Sequence, residues 1–212
     1  MAIISQGVYG GISGKLGNTV GASWKGIHYL RILPASVANP NTTKQQGQRT
    51  KFLITLKFLQ PLYDAVNVGY RNFAVKMSPF NSAFSHTILN AITGAFPDYT
   101  IDYANALLSR GKLPKAQEPQ ATSTVAGTVD FTWTPNSTSG NAMANDHAMV
   151  VIFNPVKNEA VIRDFVALRD DGSVQVNVPV TFAGDTVHTW MSFISDDGII
   201  SDSVYAGEVS VT

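Results

Sequence analysis

The sequence predicts an α+β protein: a glycine-rich extended N-terminal arm, a small helical region, and a C-terminal antiparallel β-sandwich of the immunoglobulin or fibronectin kind. Three observations predict it. The last quarter alternates apolar and polar residues in three runs, 174–180, 187–194 and 204–211, with the period of two that a half-buried strand requires. Asp171-Gly172 and Asp197-Gly198 sit beside these runs, and Asp-Gly accepts the positive φ of a tight turn. The middle of the chain has helical apolar spacing instead, interrupted at Pro61, Gly94 and Pro97, which are residues that break or cap helices.

Residues 1–34 form the arm. Seven glycines fall between Gly7 and Gly26, and no helical spacing is sustained. Trp24-Lys25-Gly26-Ile27 reads as a hairpin turn. Beyond it Ile27, Tyr29, Arg31 and Leu33 alternate with His28, Leu30 and Ile32. Apolar residues on both faces predict a strand covered on both sides or inserted into a neighbour, and Pro34 ends it.

Residues 35–113 are the mainly helical region. Thr42 or Thr43, with Gln45 or Gln46, fits a capping box that satisfies the first free N–H groups. Phe52, Leu56 and Leu59 make one apolar stripe with Leu53 beside it. Lys44, Arg49, Lys51 and Lys57 fill the other face. A second helical piece is predicted over 61–68 and a third over 81–91, followed by one or two short strands in 98–113. Residues 114–121, with Pro114 and Pro119, read as a linker.

Residues 122–212 are the sandwich. Val129, Phe131 and Trp133 alternate with Asp130 and Thr132, and 148–153 is apolar throughout, as in a strand with both faces covered. Residues 159–169 add a further strand. Six or seven strands in roughly 90 residues match the count and turn spacing of such a sandwich.

Composition narrows the function classes. A hydrophobic share of 44% with 14% charged residues suits a chain with a real core rather than a disordered one. The weakly charged surface, rich in Ser, Thr, Asn and Gly, favours packing against copies of itself. The absence of cysteine excludes disulfides and thiolate metal sites. No basic region followed by an apolar stretch marks a signal peptide, and no run approaches the ~18 apolar residues of a membrane span. Synthesis in the cytoplasm is expected, with a final place there or in a virion or other extracellular assembly. The net charge is zero but unevenly distributed. Residues 1–78 hold nine basic residues and one acidic, giving +8; residues 79–212 hold six basic and fourteen acidic, giving −8. Such a dipole favours contact between unlike ends of two copies.

Specific motifs reinforce the arm and the first helix. Gly14-Lys15-Leu16-Gly17-Asn18-Thr19-Val20-Gly21 is followed by Trp24-Lys25-Gly26, Arg31, Asn39-Pro40-x-Thr42 and Gln45-x-x-Gln48-Arg49-x-Lys51-Phe52. Asp130-Phe131-Thr132-Trp133 and Gly184-Asp185-Thr186-Val187 come later. Together they resemble an uncharacterised bacterial family, Bacteroidota-type, with this Gly-Lys-x-Gly segment and an immunoglobulin-like C-terminal half. The resemblance carries no assigned activity. The opening is also similar, more loosely, to phage-encoded structural proteins, which implies a virion or tail role.

No catalytic constellation is expected. Gly14-Lys15 lacks the glycine five residues earlier and the following Ser or Thr of a phosphate loop, since Tyr9 and Leu16 stand there. His28, His86, His147 and His188 are scattered without the spacing of a metal site. Asp146-His147 reads as a turn before a strand, and no Gly-x-Ser-x-Gly elbow occurs. Asp170-Asp171 and Asp196-Asp197 read as solvated turn tips, short of the six to eight oxygen ligands calcium takes. No cofactor, metal or catalytic residue is therefore assigned.

The function expected is a non-enzymatic structural subunit that self-assembles as a homo-oligomer or larger assembly, of phage virion, tail or bacterial filament type. Its interface is expected to use Trp24, Tyr29 and Arg31 of the arm against Asp170, Asp171, Asp196 and Asp197 of another copy's sandwich. The alternatives are a carbohydrate or surface-polymer module with Trp190 as a stacking platform, and nucleic-acid binding through the basic N-terminal third. Packing of the arm on its own sandwich is the monomeric rival.

Overall fold

The computed structural model describes residues 2–3, 11–37 and 40–212, and the chain divides into two units, Met1–Thr42 and Thr43–Thr212. The expectations at Gly7, Gly10 and Asn39 lie outside the described residues.

The first unit is an antiparallel sheet of β1 (Ala2–Ile3), β2 (Gly14–Leu16), β3 (Thr19–Trp24) and β4 (Ile27–Ile32), in the order β1-β4-β3-β2. Two-residue turns link its last three strands. The β3–β4 turn is Lys25-Gly26, with φ of 51° and 82°, the pair of positive values that matches the twist of a hairpin. Gly21 is required by close approach: a Cβ there would lie 2.3 Å from the Ile12 carbonyl oxygen.

The second unit opens with helices α1 (Thr43–Leu59), α2 (Tyr63–Gly69) and α3 (Pro79–Asn90). Pro61 falls between the first two, where its missing N–H costs no helical bond. Ser78 caps α3, its hydroxyl accepting from Asn81 N–H at 3.2 Å, with Pro79 in the first turn. A hairpin follows, β5 (Ile92–Ala95) with β6 (Asp98–Ile101). Of the predicted α1 stripe, Leu59 is buried but Phe52 and Leu56 are exposed. The helix instead turns Thr55, Phe58 and Leu59 inward, and Phe52 packs on Phe84 with ring centroids 4.6 Å apart.

Seven strands make the sandwich: β7 (Gln117–Thr122), β8 (Thr128–Thr134), β9 (His147–Asn154), β10 (Glu159–Arg163), β11 (Ser173–Asn177), β12 (Thr186–Ile194) and β13 (Val204–Ser210). Strands β11-β8-β7 form one sheet and β10-β9-β12-β13 the other, the two-sheet antiparallel architecture of an immunoglobulin- or fibronectin-like domain. Segment 114–121, expected as a linker, contains most of β7. β11 stops at Asn177, before Pro179, and Val180 is exposed rather than paired.

The four-stranded sheet is buried on both faces. Ala148, Val150 and Ile152 of β9 join Val187, Met191 and Phe193 of β12 against Phe131 and Trp133 of the facing sheet. Val151, Phe153 and Trp190 point the opposite way, into a second core with Phe58, Leu59, Leu62 and Tyr70 of the helical region. That is why 148–153 has no polar alternation. The unit is three-layered, with helices, sheet and sheet, and the helical region and the strands do not separate into two domains.

Arg169 locks one end of the sandwich. It is completely buried and ion-paired through Nε to the Asp146 carboxylate at 2.9 Å. The same guanidinium donates to Asn136 Oδ1 at 2.6 Å and Pro114 O at 3.0 Å, and lies 3.9 Å from the Phe193 ring centroid. Trp133 Nε1–H donates to the Arg169 carbonyl at 2.7 Å. Breaking one partner of such a buried pair leaves an uncompensated charge and typically costs about 3–5 kcal/mol. R169M should therefore lower unfolding free energy by that order in denaturant titrations. R169M with D146L should recover most of the loss, because neither charge is then left buried alone.

Candidate interface

The sequence-predicted arm residues share one face of the N-terminal sheet. Pairing places Val20 opposite Arg31, Ala22 opposite Tyr29 and Trp24 opposite Ile27. Because strand side chains alternate, Trp24, Tyr29 and Arg31 lie on the same side, and Lys15 joins them opposite Val20. Trp24 is 62% exposed and Ile27 48% exposed. Lys25 Nζ sits 4.8 Å from the Trp24 ring. Among residues 11–37 the one buried residue is Gly21. A sheet of this size whose described residues bury no side chain is marginal in water.

The sequence-predicted acidic residues also converge. β9 begins where β12 ends, with His147 paired to Ile194. β10 ends beside the start of β9, Arg163 opposite Val150. Loop 135–146, segment 164–172 and loop 195–203 therefore meet at one end of the sandwich. Asp170, Asp171, Asp196 and Asp197 are all exposed there. Asp171 accepts from Leu168 N–H at 2.7 Å, which holds the single helical turn 169–171. Asp196 accepts from Asn145 Nδ2 and lies 3.2 Å from His147 Nε2. Asp197-Gly198 does turn the chain, with Gly198 at φ 74°, inside a longer loop closed by an Ile194–Ile200 bridge.

Sequence reasoning missed the apolar part of this end. Met143 is 62% exposed and Phe165 60% exposed, and the Phe165 ring meets His147 edge-on at 4.8 Å. A groove of about 150 Å³ runs between loops 135–146 and 195–203. Leu113, Met143 and Ile199 line it, with Asp196 and Asp197 at its lip. These residues are far apart in sequence and carry no motif, so only folding brings them together.

Trp190 is not a ligand platform. It lies on the predicted outer face of the four-stranded sheet, but the helical region covers that face. The side chain is 1% exposed, its Nε1–H donates to Ala106 O at 3.0 Å, and Phe58, Tyr103 and Tyr205 surround it. A buried indole has no open ring face for a sugar. Among the described residues no group of three or more His, Cys, Asp or Glu has the spacing to hold a metal ion. Among them too, no helix is long and apolar enough to cross a membrane.

Fold and site together define a fibronectin-like sandwich with a helical layer on one sheet and a separate basic N-terminal sheet. The chain belongs to a family of unknown function (DUF6266), whose profile matches residues 11–207. Similar solved structures include the fn3 domain of human collagen alpha-1(XX) chain, at 15% identity and a TM-score of 0.35, covering 49% of this chain and 90% of that one. The FN5 domain of Drosophila Lar is similar at 13% identity and a TM-score of 0.33, covering 48% of this chain and 99% of that one. No curated protein matches.

The second core carries a pH signature. Burial lowers the pKa of His188 below its ordinary 6.5, with a smaller opposing pull from Glu208. Its ring stacks on Tyr103 at 3.7 Å, and its Nδ1 lies 2.8 Å from Tyr205 Oη. His86 is lowered likewise, by burial and then by Arg110. A histidine held neutral in the fold binds its proton more readily when unfolded. Its contribution to stability is therefore complete above the unfolded pKa and is lost as pH falls below about 6.5. Urea midpoints should drop between pH about 7.5 and pH about 5.5, and H188Q should shrink that drop.

Proposed function

We propose that this chain is a non-enzymatic structural subunit that self-assembles, its basic N-terminal sheet docking on the acidic sandwich of a neighbouring copy. A phage virion or tail component, or a bacterial filament subunit, is the setting in which such a chain would work. The observation that carries this is an N-terminal sheet whose described residues bury no side chain: Trp24, Ile27, Ile32 and Leu16 are all exposed, and burial of such apolar surface contributes roughly 25 cal/mol per Å². Charge supports the same partner. The N-terminal unit, residues 1–42, carries Lys15, Lys25 and Arg31 and no acidic residue, +3, while residues 43–212 carry twelve basic and fifteen acidic residues, −3, so head-to-tail contact is favoured and head-to-head contact opposed.

An interface in which a basic surface meets a different, acidic one is heterologous, and repeats into a ring or an open filament. Sedimentation velocity over a concentration series, at low and high salt, tests this. The expected result is species larger than one chain at low salt that shrink as salt rises. A single-chain species at every concentration and salt would overturn it.

A further inference from the structure

We propose that the tip of the β3–β4 hairpin of one copy inserts into the groove between loops 135–146 and 195–203 of the next, with Trp24 as its anchor. This rests on the self-assembly reading above and names the contact that would drive it. The two surfaces have matching anatomy. The tip projects Trp24 and Ile27, paired across the strands, with Lys25 at the turn and its ammonium 4.8 Å from the Trp24 ring. The groove offers Leu113, Met143 and Ile199 as an apolar lining, and the carboxylates Asp196 and Asp197 at its lip. An apolar centre with a charged rim is the usual anatomy of a specific interface. A tryptophan filling a desolvated pocket is its commonest energetic anchor.

Size and rigidity agree. About 150 Å³ is space for one aromatic side chain rather than a strand or a helix. Arg169, through Asp146, and Pro114 hold the groove's surroundings in place, since Asp146 itself lines the groove. The hairpin tip is equally defined, because Lys25 and Gly26 supply the two positive φ values its turn needs. Lys25 next to the anchor is then placed to meet Asp197 as Trp24 enters. The pairing uses different surfaces on the two copies, so each subunit carries one plug and one socket.

Four single substitutions in the full chain test it, with sedimentation velocity as the readout and circular dichroism as the check on folding. W24A should weaken association about 30-fold, the loss of a central anchor. M143E, at an exposed wall of the groove, should do the same without touching the core. K25E and D197K should each weaken assembly alone and restore it when mixed. The carboxylate introduced at the hairpin tip of one chain then faces the ammonium introduced at the groove lip of the other. Restoration on mixing also shows that both variants are folded. If wild type assembles and W24A and M143E assemble equally well, the plug-and-socket contact is wrong while self-assembly stands. If K25E and D197K stay dissociated on mixing, the charge pairing at the lip is wrong. If wild type itself is always a single chain, the underlying reading fails first.

Discussion

A guanidinium with no access to water organises one end of the sandwich. Taking a charge out of water is costly unless it is paired and its remaining donors are satisfied. Arg169 meets that condition by drawing four groups from three pieces of chain to itself: Asp146 and Asn136 of one loop, Pro114 O and the Phe193 ring. The consequence is geometric. Loop 135–146, the turn 169–171 and the approach to the first sandwich strand are pinned against the end of the four-stranded sheet; Asp170 and Asp171 ride on the pinned turn, and Asp196 is tied to the pinned loop through Asn145. A surface built from loops becomes nearly as defined as one built from strands.

The two units stand in contrast. The sandwich and its helices bury a continuous apolar interior on both sides of one sheet, so each of its strands is held by packing as well as by hydrogen bonds. The N-terminal sheet has well-formed turns and register, but among its described residues 11–37 no side chain is buried. Backbone pairing alone stabilises small sheets poorly, because its net gain over water is modest.

Trp190 shows how a correct local inference can lead to a wrong functional one. Alternation along β12 places it opposite Val187, Met191 and Phe193, on the sandwich's outer side, and that is where it lies. In an isolated sandwich that side meets solvent. Here it is covered by α1 and α2, whose inward residues Phe58 and Val66, with Leu62 between the two helices, are part of the same core. The second layer turns an exposed tryptophan into the centre of a hydrophobic cluster, closed by its hydrogen bond to Ala106 O. The α1 stripe fails for the complementary reason: spacing groups Phe52 with Leu56 and Leu59, but the receiving sheet selects a neighbouring face.

Local physics made much of this protein legible in its sequence. Period-two runs marked the strands around Phe131, Met191 and Val209, Trp24-Lys25-Gly26-Ile27 marked a hairpin, and Pro61 marked the break between the first two helices, because each depends only on neighbours in the chain. The uneven charge was equally plain. Tertiary structure alone decided which sheet is covered twice, that Arg169 is buried, and that Met143, Leu113, Ile199 and Asp197 share one groove. Those outcomes depend on contacts between residues up to tens of positions apart, and no periodicity or spacing encodes which distant side chain will fill a given space.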